Sequence, residues 1–324
     1  MTRLFRYAFH LLFAVLLIAF AAWSVTAFRL HLSGIGLALA LGSLALAVVA
    51  AGVIRLRSRR KGWAVLAIAV LAVASWYQTI RPQEHRDWAV DVSRGVQARV
   101  DGDAITLNNV RDFKWTSASD ADAQWISATY DLDQLETVDM LTSVWDSPDI
   151  AHLLVSFGFA GGQQVAFSVE IRREADEIFN EIGGFFRQFE LVLIAATEDD
   201  IVRLRTNHRG EDVSLFPVNL TPEQRRTMFM SYVELAQKLE NRPQFYNTLG
   251  ANCTTVVYGL AQSLKPDLPL DWRLVLSGNL PEYLDDLGVL GGQGDMTQRR
   301  AAAKISERAM AHGDGPGFSA AIRP

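Results

Sequence analysis

Cys253 is the only cysteine in 324 residues. It stands in Tyr246-Asn247-Thr248-Leu249-Gly250-Ala251-Asn252-Cys253-Thr254-Thr255, just ahead of the apolar run Val256 to Leu260. Asn252 is a favoured N-cap type, Gly250 lets the chain turn, and the Thr hydroxyls fall where a first helical turn has unpaired N–H groups. The spacing predicts a helix that starts at or next to Cys253. There the positive end of the helix dipole would lower the thiol pKa and favour the nucleophilic thiolate. The alternative is a small buried hydrophobe at a helix start.

A nucleophilic thiol needs a base, and the base needs a group to orient it. Of the six histidines, His10 and His31 lie in or beside apolar runs, His85 follows the last of them, His208 is in an Arg-rich turn and His312 is near the end. Only His152 opens an apolar strand, Ala151-His152-Leu153-Leu154-Val155-Ser156-Phe157. After a turn at Gly161-Gly162, the next strand alternates Phe167, Val169 and Ile171 with Ser168, Glu170 and Arg172, so the three polar residues share a face. Glu170 is the candidate to hold His152 in its useful tautomer, with Arg172 shaping the site; a plain Glu170–Arg172 surface pair and a structural His152 are the alternatives. Tyr246, Asn247 and Asn252 are close enough in sequence to donate further hydrogen bonds, although for Asn247 loop structure is the reading. No G-x-S-x-G, H-E-x-x-H, phosphate-binding loop or cysteine pair occurs, so neither a metal nor a cofactor is expected.

The elements that position these residues begin after a membrane segment. The first 80 residues hold no Asp or Glu and three apolar runs, 7 to 28, 32 to 54 and 62 to 80. Each is near the ~20 residues a helix needs to cross a bilayer. Arg55, Arg57, Arg59, Arg60 and Lys61 between the second and third runs predict a cytoplasmic N-terminus, with everything after Ile80 outside. Eight of the 31 Lys and Arg lie in this segment, so the remaining 23 stand against all 36 Asp and Glu, a net charge of −13. That balance argues against a nucleic-acid partner.

Residues 81–290 are long enough to bury a core of their own. Hairpins are expected over Trp88 to Val110, turning at Asp101-Gly102-Asp103, and over 151 to 172. Residues 116–143 read as an acidic loop with one short strand at Trp125 to Tyr130. Phe185 to Ala196 and Asp212 to Val218 read as strands. Thr221-Pro222-Glu223-Gln224 opens a helix to about Asn241, and a short helix is expected at Pro281 to Leu287. Residues 291–324 read as a loosely ordered tail.

Taken together, several of these pieces resemble the Lnb N-terminal periplasmic domain family: His152 opening a strand, Ser168-Val169-Glu170-Ile171-Arg172 on the next, Glu198 and Asp200 before Arg203 and Arg205, Tyr246-Asn247, and Asn252-Cys253-Thr254-Thr255. Asn109-Val110-Arg111-Asp112-Phe113 and Phe318-Ser319-Ala320-Ala321-Ile322-Arg323 are similar to that family's flanks. The resemblance implies a permuted papain-like (NlpC-like) domain, an antiparallel sheet packed on helices, and with the three apolar runs this predicts an α+β chain in which three transmembrane helices precede that domain. It implies a bacterial inner-membrane, multi-pass protein with that domain in the periplasm. The chemistry it implies is acyl transfer through a Cys253 thioester, with His152 as base and a lipid or lipoprotein as substrate, moving an acyl chain to the α-amino group of a lipoprotein. The rival readings are a thiol peptidase or amidase acting on cell-wall peptide, and a non-catalytic envelope binding protein. An apolar trough beside Cys253 that faces the membrane would favour acyl chains; an open polar groove would favour peptide.

Overall fold

Apolar helices come first in the computed structural model, which describes residues 3–313 and 315–323. The chain divides into two compact units, Met1–Pro82 with Asn180–Gln188, and Gln83–Phe179 with Phe189–Pro324.

In the first unit, helices α1 (Arg3–His31), α2 (Gly34–Arg57) and α3 (Arg59–Tyr77) follow one another. Two of them, over Tyr7–His31 and Gly34–Arg57, are long and apolar enough to cross a membrane. The third expected span falls short. Arg59, Arg60 and Lys61 occupy the first turn of α3 and Trp76 and Tyr77 its end, so its unbroken aliphatic run is confined to residues 64–74. Within this unit Phe13 packs edge-on against Trp63 at 5.0 Å, and the Arg55 guanidinium lies 4.9 Å over the Phe13 ring. Residues 180–188 join here: Arg187 donates to the Tyr77 carbonyl at 3.1 Å, and the Trp23 and Phe186 rings lie 5.5 Å apart. The strand expected from Phe185 therefore starts later, at Glu190.

The second unit is an α+β fold. Its strands are β1 (Gln97–Asp101), β2 (Ala104–Arg111), β3 (Lys114–Trp115), β4 (Ala121–Asp122), β5 (Trp125–Asp131), β6 (Leu135–Val144), β7 (His152–Phe159), β8 (Gln164–Arg172), β9 (Glu190–Ala196) and β10 (Asp212–Pro217). Eight of them form one sheet in the order β1-β2-β9-β8-β7-β6-β10, with β5 paired to β2; β3 and β4 make a small separate ribbon. Pairing is antiparallel except for one parallel bridge from Arg111 to Ala196. Both expected hairpins are present, with Gly102, Gly161 and Gly162 at positive φ in the turns. Most of the expected 116–143 loop is not loop: the ten residues of β6 are a central strand between β7 and β10. Its Val138, Met140 and Leu141 are buried, but the acidic residues interleaved with them hide the strand period in the sequence.

Helices α4 (Glu198–Arg203), α5 (Pro222–Asn241), α6 (Cys253–Ala261), α7 (Leu280–Asp286), α8 (Met296–Ala303), α9 (Ser306–His312) and α10 (Phe318–Ala321) complete the unit. Thr221 and Gln224 cap α5 reciprocally, as the sequence predicts. On one side of the sheet, Phe157, Phe159 and Phe167 meet Phe229 and Tyr232 of α5, with Phe157–Phe229 edge-on at 5.1 Å and Phe167–Tyr232 stacked at 4.8 Å. Each such pair adds roughly 0.5–1.5 kcal/mol beyond its buried area. A second cluster joins Leu154, Ala166 and Ile194 to Ile201 and Val202 of α4 and to Ile305, Ala309, Phe318 and Ile322.

The C-terminal residues are thus part of the core, not a loose tail. Their Gly, Ala and Arg content disguises the few apolar anchors. The ion pairs are equally invisible in the sequence: Arg323 holds Glu198 at 2.7 Å and Asp139 at 2.8 Å, and Ser156 donates to the same buried Glu198 at 2.6 Å.

Candidate active site

The helix carrying the thiol starts where its cap dictates. The Asn252 side chain accepts from the Thr254 N–H at 2.9 Å and the Thr255 N–H at 2.8 Å, and the Asn252 N–H donates to the Thr255 hydroxyl at 3.0 Å. This reciprocal cap makes Cys253 the first residue of α6. It also engages Asn252, whose amide donates back to the Thr248 carbonyl at 2.7 Å, so Asn252 holds the helix start. Asn247 is likewise spent on its own loop: its side chain accepts from the Leu249 and Gly250 N–H groups at 3.1 and 2.8 Å.

The hairpin supplies the base and its orienter. Leu154 pairs with Ser168 across β7 and β8, and continuing that register by two residues sets His152 opposite Glu170. The buried Ser168 hydroxyl donates to Glu170 Oε1 at 2.6 Å and lies 2.7 Å from His152 Nε2, which is itself 3.2 Å from Glu170 Oε1. With the hydroxyl proton committed to the carboxylate, Nε2 must donate, and Nδ1 is left to serve the thiol. Ser168 is therefore a link between base and carboxylate, closer to the chemistry than its sequence neighbours suggest.

Burial alone would push the Cys253 thiol up. The His152 ring, through its charge and a hydrogen bond, outweighs burial, and the Leu153 N–H and the Thr254 hydroxyl add to it, so the thiol is held below its ordinary value. For His152 burial works downward, but Glu170 and Cys253 raise it to about 9. Glu170, despite burial, is held well below the usual carboxylate range by His152, then Arg205 and Ser168. These three directions describe a thiolate–imidazolium pair backed by a carboxylate.

Arg205 is the site residue that position-by-position reasoning missed. Its guanidinium donates to Glu170 Oε1 at 2.9 Å and to the Ile201 carbonyl at 3.0 Å. It sits in a π-helical turn, Leu204–His208, a distortion that often marks functional positions. The signal that could have found it was its place in the family-like run with Glu198, Asp200 and Arg203. Arg172, by contrast, leaves the site. It shares the face of Ser168 and Glu170 as alternation requires, but it donates to the Val92 and Ser93 carbonyls at 3.2 and 2.6 Å and stacks 4.6 Å over Trp88. Tyr246 stays close: burial first, and the negative charge of Cys253 and Glu170 next, raise its phenol, so it remains a proton donor at neutral pH.

Beside this cluster lies an apolar cavity of about 210 Å³ between β6, β7, α6 and α7. Leu153 and Thr254, the neighbours of His152 and Cys253, line it, as do Val257, Leu268 and Leu274. The arrangement can ionise a thiol, orient its partner base and receive an aliphatic group next to it.

Residues 121–278, which include His152, Ser168, Glu170, Arg205 and Cys253, match the family model of the Lnb N-terminal periplasmic domain. This segment belongs to that family. Neither the curated proteins nor the solved structures gave a match to the chain. The Lnb segment starts within the β3–β4 ribbon and ends at Gly278, so β1, β2 and the four C-terminal helices α7 to α10 lie outside it.

The pH dependence of the thiol follows from the shifts above. The alkylation rate of Cys253 by iodoacetamide should rise at a lower pH than that of an ordinary thiol and fall as pH drops through the lowered thiol value. The rate of any step needing the imidazolium should fall as pH rises through about 9. For stability, the His152 contribution is complete below its ordinary value of 6.5 and is lost toward about 9. The Glu170 contribution, with its pKa depressed, is complete above 4.5 and is lost as pH falls. An alkylation profile rising only above pH 9 would contradict the ion pair.

Proposed function

We propose that the second unit is a thiol acyltransferase. The supporting observation is the apolar cavity that begins at the residues next to His152 and Cys253; an aliphatic chain fits such a lining better than a peptide does. The Cys253 sulfur attacks an ester carbonyl carbon, and the Cys253 N–H receives the oxyanion, since the Asn252 cap occupies those of Thr254 and Thr255. The C–O bond then breaks, the alcohol leaves with the His152 proton, and Cys253 carries the acyl chain as a thioester. An amine attacks that thioester, its proton passes to His152, and the thiolate departs. The amine we favour is the α-amino group of a lipoprotein, in line with the family resemblance and the order of His strand, polar strand and Cys helix expected of a permuted papain-like fold. Incubating the protein with a diacylated lipopeptide and weighing both partners by mass spectrometry tests this. An acyl-sized adduct on wild type but not on Cys253→Ser, with an acyl group moved to the lipopeptide amine, is expected. An unmodified protein and lipopeptide would sink the reading, and cleavage of cell-wall peptide instead would replace it with the amidase.

We further propose an inner-membrane location with the second unit in the periplasm. This keeps Arg55, Arg57, Arg59, Arg60 and Lys61 cytoplasmic, so α3 must carry the chain back. At 1.5 Å per residue its 19 residues reach about 28 Å, near the bilayer core's ~30 Å, with the basic residues snorkelling. A periplasm-active reporter fused after residue 82 should be active; an active cytoplasmic reporter there would refute this topology.

A further inference from the structure

Large apolar side chains stand exposed on the three loops that flank His152 and Cys253. Trp145 and Ile150 lie on the β6–β7 loop, 60 % and 40 % exposed; Leu249 precedes the α6 cap at 61 %; Leu270, Trp272 and Val275 follow α6 at 82, 60 and 64 %. Such concentration is unusual for a soluble surface and marks a binding face. Two of these loops, β6–β7 and the segment after α6, are fixed to each other. The Gly278 N–H donates to the Asp149 carbonyl at 2.9 Å, while the Ser277 hydroxyl accepts from the Ala151 N–H at 2.9 Å and donates to the Ala151 carbonyl at 2.6 Å. The segment after α6 is thereby pinned to the chain entering His152. On its inner side Leu268 and Leu274 line the cavity, and Tyr258 holds the Leu268 carbonyl at 2.7 Å, so the cavity wall continues outward into the exposed residues.

The geometry points to a lip by which this unit dips into the interfacial layer of a lipid bilayer. Tryptophan with aliphatic neighbours is the composition of membrane interfaces. The irregular loops offer separate protruding side chains, which suit a fluid layer better than a flat protein face. The polar residues set the lipid class. Asp146, Asp149 and Asp267 are interleaved with the apolar ones, and Arg273 is paired with Asp271 at 2.8 Å and Asp286 at 2.7 Å. Lys265 on the same segment is outnumbered by these carboxylates, so the lip is net negative and suits zwitterionic rather than anionic headgroups. This inference does not depend on the thiol chemistry, because docking needs no turnover.

The test uses the full chain with Cys253→Ala, so that a cysteine introduced at Trp272→Cys or Val275→Cys is the only label site. Val100→Cys, on exposed β1, is the reference. Each variant is labelled with an environment-sensitive nitrobenzoxadiazole dye and reconstituted into phosphatidylcholine vesicles. At 272 and 275 we expect a blue-shifted emission, several-fold stronger quenching by nitroxide-bearing lipid than at 100, and weaker quenching by aqueous iodide. Equal iodide quenching at all three positions would mean that the lip stands in water and would overturn the proposal. Protection from both quenchers would mean that protein covers it, either a second copy or a partner, and would overturn it equally. Using two label sites guards against a Trp272 variant that fails to fold.

Discussion

Replacing His152 with Ala is expected to slow acylation of Cys253 by at least about 10³-fold, since general-base assistance and ion-pair activation of the thiol are lost together. Burial is then opposed only by the Leu153 N–H and the Thr254 hydroxyl, so the thiol pKa should climb from its wild-type value. Rapid-quench measurement of thioester formation, with alkylation at varied pH, reads both effects. Residues that act as one unit are not additive, so in residual overall acyl transfer to the amine the double variant His152→Ala, Cys253→Ala should be no slower than Cys253→Ala alone. A His152→Ala protein that keeps its rate and its thiol pKa would show that the base lies elsewhere.

The second large effect is on stability. Asp200 is fully buried and serves four donors: Arg111 grips it at 2.8 and 2.9 Å, the Phe113 N–H donates at 2.9 Å and the Trp115 indole at 2.7 Å. Removing it leaves a buried guanidinium without its countercharge, a loss of about 3–5 kcal/mol. Asp200→Ala should therefore lower the unfolding midpoint by roughly 10 °C, read by thermal unfolding of the full chain in detergent. Asp200→Asn, which keeps the shape and some of the acceptors, should lose less. A midpoint unchanged within a degree would mean that water replaces the carboxylate and that the network is dispensable.

The sequence showed most clearly what depends on local pattern. The β7–β8 hairpin, the cap at Asn252, the capped start of α5 and the lone reactive-looking thiol could all be placed, because turn glycines, cap residues and strand alternation act over a few residues. His152 and Glu170 could be paired because both lie on one hairpin. Arg205 could not, since its partner is 35 residues away and nothing local marks an arginine as buried. The same limit hid β6, whose acidic residues look like loop, and the last helices, whose few anchors Ile305, Phe318 and Ile322 are buried only because the sheet is there to receive them. Arg172 was misplaced for the opposite reason: alternation fixes the face of a side chain, but a long guanidinium reaches as far as the carbonyls of Val92 and Ser93.

The ion pair between Glu198 and Arg323 also has a consequence in time. The two residues are 125 positions apart, and at ~5–20 residues per second a ribosome takes about 6–25 s to go from one to the other. Throughout that interval the sheet face around Glu198 and Asp139 is exposed with its carboxylates unpaired and its apolar cover, Phe318 and Ile322, not yet made. The second unit can close only after its last helix has been synthesised. A nascent chain in which the thiol helix has already emerged is therefore still open on the far face of the sheet, dependent for those seconds on whatever shields unfinished proteins.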